Sequence, residues 1–191
     1  MVDMVDLRPA AGRMADLVGG VSDDQLGART PCPDYSLGDL IDHVDGLALA
    51  FTAAAEKDFG AFTGSAPSGD ATRLGDDWRT RVPARLAALA EAWAKPDAWE
   101  GMTRAGGVEL PAAIMGKVAL NELVIHGWDV ARASGLPYDC DGASLAVSKQ
   151  IVTPVDGDSG GLFGPPVAVP ADAPPLEQVI ALSGRHPSWP A

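Results

Sequence analysis

Apolar residues recur at helical spacing through most of this chain, and six helices follow from where that spacing starts and stops. The first spans Asp6 to Val18, with Leu7, Ala11, Met14 and Val18 on one face and Gly19-Gly20 beyond. Ser36 is an N-cap with Asp39 three residues on, so a second helix runs from Leu37 to about Lys57. A third covers Ala71 to Ala94, its stripe formed by Leu74, Trp78, Val82, Leu86, Leu89 and Trp93, and Lys95-Pro96 stops it. Gly106-Gly107 lies between two short runs and predicts a small hairpin within Trp99 to Leu110. Pro111 opens a fourth helix that ends at Ser134-Gly135. After it, Asp141 to Val152 and Pro175 to Leu182 read as shorter helices flanking a Gly/Pro-rich loop over Gly157 to Pro170.

Four long helical patterns and one hairpin predict an all-α protein, a four-helix bundle with a short hairpin before helix four and a small C-terminal appendage. Residues 1–140 would form the bundle and 141–191 the appendage packed on it. At 191 residues, 47% of them hydrophobic, the chain is long enough to bury a real core. No apolar run reaches the roughly 18 residues of a membrane span, and no basic-then-apolar leader opens the chain, so a cytoplasmic location is expected. The net charge of −12, with 14 basic residues spread thinly, argues against nucleic-acid and membrane partners. A homodimer is allowed, because an apolar stripe serves a core and an interface alike. The two cysteines, Cys32 and Cys140, form no C-x-x-C pattern, and Cys32 between two prolines reads as a quiet loop thiol.

The unusual feature is where ionisable groups fall. At about 100° per residue, Glu122 and His126 share the face of helix four that carries Ala119, Leu123 and Val130, and Asp129 lies on its flank. Lys117, Asn121 and Arg132 gather on the opposite, wet side. In helix two, His43 shares a face with Leu40, Leu47, Phe51 and Ala54, while Asp42, Asp45 and Glu56 face water. Three ionisable groups thus project inward from two helices, which is costly without partners. A Glu122–His126 pair, a core histidine at His43 bonded to backbone, or a divalent metal held by all three would each offset that cost. The pattern alone leaves these open.

The segments T-P-C-P-D-Y-S-L-G-D-L-I-D-H-V and N-E-L-V-I-H-G-W-D-V-A-R-A-S-G resemble the DinB-like superfamily. More narrowly, they are similar to its actinobacterial branch related to mycothiol-dependent maleylpyruvate isomerase. The ending P-L-E-Q-V-I-A-L-S-G-R-H-P-S-W is similar to the close of short, metal-binding members of that branch. The resemblance implies a bundle that holds zinc or nickel through His43, Glu122 and His126. Glutamate at position 122 matches the isomerase branch, where other members carry histidine. The isomerase has a larger C-terminal domain that contributes to its active site, and the residues after Asp141 are expected to be too few to replace it.

Three protein ligands leave a coordination position open, the pattern of catalytic zinc. The function so implied is a metal-dependent enzyme activating a low-molecular-weight thiol of the mycothiol type, or water, for transfer or isomerisation on a small electrophilic substrate. A non-catalytic bundle with a structural or sensory metal is the alternative. Asp129 is either a residue orienting a ligand histidine or a partly exposed charge beside Arg132. Arg132 either holds a substrate carboxylate or is solvated; Trp128 packs, and His186 is expected on the surface, away from the site.

Overall fold

Backbone groups at helix ends need partners, and the helices that begin at Leu37 and Gly142 find them in the side chains of Ser36 and Asp141. The structure, a computed structural model, describes residues 4–153 and 163–190. Its elements are α1 (Arg8–Gly20), α2 (Leu37–Glu56), α3 (Trp78–Trp93), β1 (Met102–Ala105), β2 (Val108–Pro111), α4 (Ala112–Ser134), α5 (Gly142–Val152) and α6 (Pro175–Leu182). Ser36 Oγ accepts from the Asp39 backbone and Asp39 Oδ2 accepts from the Ser36 backbone, a reciprocal cap on α2. The other Asp39 oxygen accepts from Ala71 N–H at 2.8 Å, so the same carboxylate ties the α2–α3 connection down. At the far end of α4, Gly135 takes φ +71°, a left-handed conformation that a side chain would resist.

The bundle is formed by α1 packed on α3 and α4, and by α2 packed on α3 and α4. Its core holds Met14, Leu17, Leu40, Ile41, Leu86, Leu89, Trp93 and Leu120. The buried indoles are satisfied: Trp93 Nε1 donates to Phe51 O at 3.0 Å and Trp99 Nε1 to Trp93 O at 2.7 Å. The hairpin pairs β1 and β2 antiparallel, Ala105 opposite Val108, around Gly106 and Gly107 at φ +59° and +78°. The all-α bundle with a hairpin before its fourth helix is therefore as expected.

Helix three is shorter than its apolar stripe. Ala71–Arg73 form a separate 3-10 turn, Gly75 adopts φ +64°, and the α-helix begins only at Trp78. Leu74 is buried regardless, because the turn delivers it to the core from outside the helix. The expected loop over Gly157 to Pro170 falls partly on residues 154–162, which lie outside the described residues.

Two expectations about wet faces are corrected. Asn121, placed on the water side of helix four, is 0% exposed. The helices α5 and α6 cover that side and build a second apolar cluster there from Ile125, Trp128, Val152, Val179 and Ile180. Arg132 is half-buried under the same cover and donates to Trp189 O at 2.6 Å. On helix two, Asp42 and Asp45 are 8% and 4% exposed. Arginines enclose them: Arg73 reaches Asp42, and Arg81 and Arg85 of α3 reach Asp45. A helical wheel ranks polarity within one helix and carries no information about what a distant segment lays over it.

Candidate metal centre

α2 and α4 lie side by side, and each brings one imidazole to the same cavity. The His43 and His126 rings meet edge to face with centroids 5.1 Å apart. Glu122, one turn before His126, places Oε2 3.1 Å from His126 Nε2. One donor atom from each of His43, Glu122 and His126 lies within 4.8 Å of the others. Ligands around a tetrahedral zinc at about 2.1 Å stand roughly 3.4 Å apart, so small side-chain rotations close this set onto one ion.

The tautomers suit that role. His43 Nδ1 lies 2.8 Å from Pro67 O, and a carbonyl can only accept, so Nδ1 carries the proton and Nε2 keeps its lone pair. His126 Nδ1 donates to Asp129 Oδ2 at 3.0 Å, which directs Nε2 at Glu122 and the cavity. Asp129, 0% exposed, is no charge beside Arg132. Its two oxygens accept from Arg185 Nε at 3.2 Å and Nη2 at 2.9 Å. Arg185 comes from the segment after α6 and also spends Nη1 on Ser183 O.

Electrostatics separate the two histidines. Burial, then the neighbouring His126 charge, push His43 down to about 4, so it is neutral. Burial would lower His126 as well, but hydrogen bonds to Asp129 and Glu122 and their charges prevail and raise it to about 9. Burial opposes ionisation of Glu122 too, yet the His126 hydrogen bond and charge hold it below the usual carboxylate range. Asp129 is held low against burial by Arg185 and then His126. Without a metal, His126 is thus an imidazolium between two carboxylates.

The cavity has a volume of about 450 Å³, within the range of small-molecule sites. His43 and Glu122 are half-buried at its wall and His126 is buried. Tyr35 stacks against His43 with centroids 5.1 Å apart. Phe163 and Arg185 line it together with the Pro31–Tyr35 loop. The segment after Asp141, expected to be too short to replace the isomerase's larger C-terminal domain, supplies part of the cavity wall and a cation. Cys32 also lines the cavity, where burial, then the charge of Asp129, push its thiol up. His186 is exposed and bonds to Ser188, as expected.

Arg185 is the site residue that sequence reasoning missed. G-R-H-P carries no periodicity, and the eye goes to the histidine. Its local signal is Gly184 at φ +82°, which ends α6 and turns the next side chain inward. An added Cβ at Gly184 would meet Gly164 Cα at 2.9 Å, so two glycines let the segments at 164 and 184 cross closely at the cavity wall.

Residues 7–131 match the family model described as the mycothiol maleylpyruvate isomerase N-terminal domain. The chain belongs to that family. The match covers the four bundle helices almost to the end of α4, and with them His43, Glu122, His126 and Asp129. Curated relatives include uncharacterized proteins from two strains of Mycobacterium tuberculosis, each 28% identical over 92% of this chain and 93% of the relative. Among solved structures, the crystal structure of a mycothiol-dependent maleylpyruvate isomerase superposes with a TM-score of 0.60. It is 20% identical, over 77% of this chain and 67% of the isomerase. A histidine-to-alanine mutant of that enzyme gives the same TM-score at 19% identity. These likenesses establish the bundle as the family's fold. No helix among the described residues is long and apolar enough to cross a membrane.

Proposed function

We propose that this family member is a divalent-metal-dependent enzyme that activates a low-molecular-weight thiol of the mycothiol type, or water, against a small electrophile. The observation that carries the reading is the convergence of His43, Glu122 and His126 within 4.8 Å on the wall of an open cavity. A site meant only to stabilise the fold would be closed by a fourth protein ligand, and the cavity side of this one is left to a small molecule.

His43, Glu122 and His126 would hold the ion, zinc or nickel by the character of two imidazoles and one carboxylate. When bound, it supplies the Lewis acidity that makes a thiol or water nucleophilic at neutral pH. Pro67 O and Asp129 fix the protons on Nδ1 of both imidazoles, so Nε2 of each is left for the ion, whose binding would displace the second proton of His126. Glu122 completes the set and offsets the charge. Arg185 fixes Asp129 with Nε and Nη2 and retains further N–H groups on Nη1 and Nη2. From the cavity wall these would orient an anionic group on the substrate, such as a carboxylate. Membership of the isomerase family supports both the thiol and an isomerisation or transfer outcome.

The test begins with elemental analysis of untagged protein after reconstitution with zinc or nickel. Near-stoichiometric metal is expected, with loss in both His43→Ala and His126→Ala. The loaded protein is then assayed for addition of a thiol to a panel of electrophiles, including cis-unsaturated keto acids. Glu122→Ala should remove the excess rate. Stoichiometric metal without turnover on any member of the panel would favour the sensory or structural alternative, and no metal at all would end the reading.

A further inference from the structure

A second cleft, about 490 Å³ in volume, opens along α2 on the side away from His43. Its chemistry differs from that of the metal centre. Asp42 and Asp45 form the floor, Arg73 and Arg85 the rim, and Leu49 and Phe62 an apolar wall. The Asp42 carboxylate is occupied on Oδ2, which accepts from Arg73 Nε at 3.0 Å and Nη2 at 2.6 Å and from Asp70 N–H at 3.0 Å. Asp45 Oδ2 accepts from Arg81 Nε at 3.2 Å and Arg85 Nη1 at 2.7 Å.

The odd atom is Asp45 Oδ1. It is buried and has no hydrogen-bond partner. A buried carboxylate oxygen without a donor is expensive, and native structures rarely leave one so. The guanidiniums show the complementary surplus: among the described residues Arg85 uses only Nη1 and Arg73 leaves Nη1 unused. Among the residues lining the cleft, two carboxylates (Asp42 and Asp45) are balanced by two guanidiniums (Arg73 and Arg85). A lone cation or a lone anion would upset that balance, whereas a zwitterion would not. Phe62, 51% exposed, offers an uncovered apolar surface beside the charges.

We infer that this cleft is a binding site for a small zwitterion of the α-amino-acid type. Its ammonium donates to Asp45 Oδ1, its carboxylate accepts from the spare donors of Arg73 and Arg85, and its side chain lies against Phe62 and Leu49. Each requirement of such a ligand meets a group that the fold leaves unsatisfied. The site stands independently of the metal centre, since none of these residues is a candidate ligand of the ion.

The full chain is titrated calorimetrically with each of the twenty common L-amino acids, and the tightest binder is repeated as its N-acetyl and its amide derivative. Saturable 1:1 binding is expected, weakened at least about tenfold by either derivative. Asp45→Asn should weaken it about tenfold, and Phe62→Ala, on an exposed side chain that carries no folding burden, severalfold. Binding should survive His43→Ala, which separates this site from the metal reading. The inference is overturned if no amino acid binds saturably, if both derivatives bind as well as the parent, or if Phe62→Ala leaves the affinity unchanged.

Discussion

Replacing Arg185 by alanine tests whether the C-terminal segment holds the candidate metal centre together. The Asp129 carboxylate is wholly buried and receives three donors: two from Arg185 and one from His126. Arg185→Ala removes two of them and leaves an anion facing one imidazole. Breaking a buried pair by deleting one partner costs about 3–5 kcal/mol, far above the 0–1 kcal/mol of an exposed pair. His126 carries a proton at neutral pH in the metal-free protein, so Asp129 keeps one charged neighbour. The expected loss is therefore at the lower end, about 3 kcal/mol. For a chain of this size, 1 kcal/mol lowers Tm by roughly 2–4 °C, which gives a drop of about 6–12 °C.

The measurement is urea and thermal denaturation followed by circular dichroism at pH 7 in the presence of a chelator, so that metal does not mask the change. Arg185→Lys should recover part of the loss, because a single ammonium cannot reproduce the two-pronged contact. The double variant Asp129→Asn with Arg185→Met removes both charges. It should be more stable than the sum of the singles by about 1.5 kcal/mol or more. If Arg185→Ala costs less than about 1 kcal/mol, or if the double variant is simply additive, the pair does not tie the segment after α6 to α4.

Two further outcomes follow from the same geometry. Metal-free protein should be most stable near pH 6.5. Below that value the unfolded chain takes up a proton that His43, at about 4, refuses in the fold, so stability falls with falling pH. Above it the folded chain keeps a proton on His126 up to about 9 that the unfolded chain has lost, so stability falls with rising pH. Urea midpoints between pH 4.5 and 9.5 report both slopes, and a flat profile from pH 7 to 9 would contradict the assignment of His126. Separately, Gly116→Ala should destabilise the bundle, although alanine is the better helix former by about 1 kcal/mol. Its Cβ would stand 2.6 Å from the Trp99 ring and 2.8 Å from that of Trp93, and overpacking of this kind costs about 1–3 kcal/mol. A thermal melt decides the sign, and a raised Tm would show that the two indoles can move aside.

How much of this was legible in the sequence depended on how far each feature reaches along the chain. The capping pair Ser36 and Asp39, the stop at Gly135 and the Gly106-Gly107 hairpin are local, and each is where the spacing of residues put it. The approach of His43 and His126 was half legible. Each helix showed its histidine on an apolar face, but that the two faces meet is a property of α2 packing on α4. Arg185 and the burial of Asn121, Asp42 and Asp45 were not legible at all, because each is created by a segment distant along the chain. Asp129 shows the distinction in one residue. Its spacing three residues after His126 allowed a bond to the imidazole, while its complete burial and second charge partner come from residue 185. A helical wheel therefore identifies which side chains can meet along one helix, and it fails where a later segment converts a wet face into an interior one. In this chain that conversion happens beside the candidate metal centre, so the residues most hidden from sequence reasoning are those that set the charge and shape of the cavity.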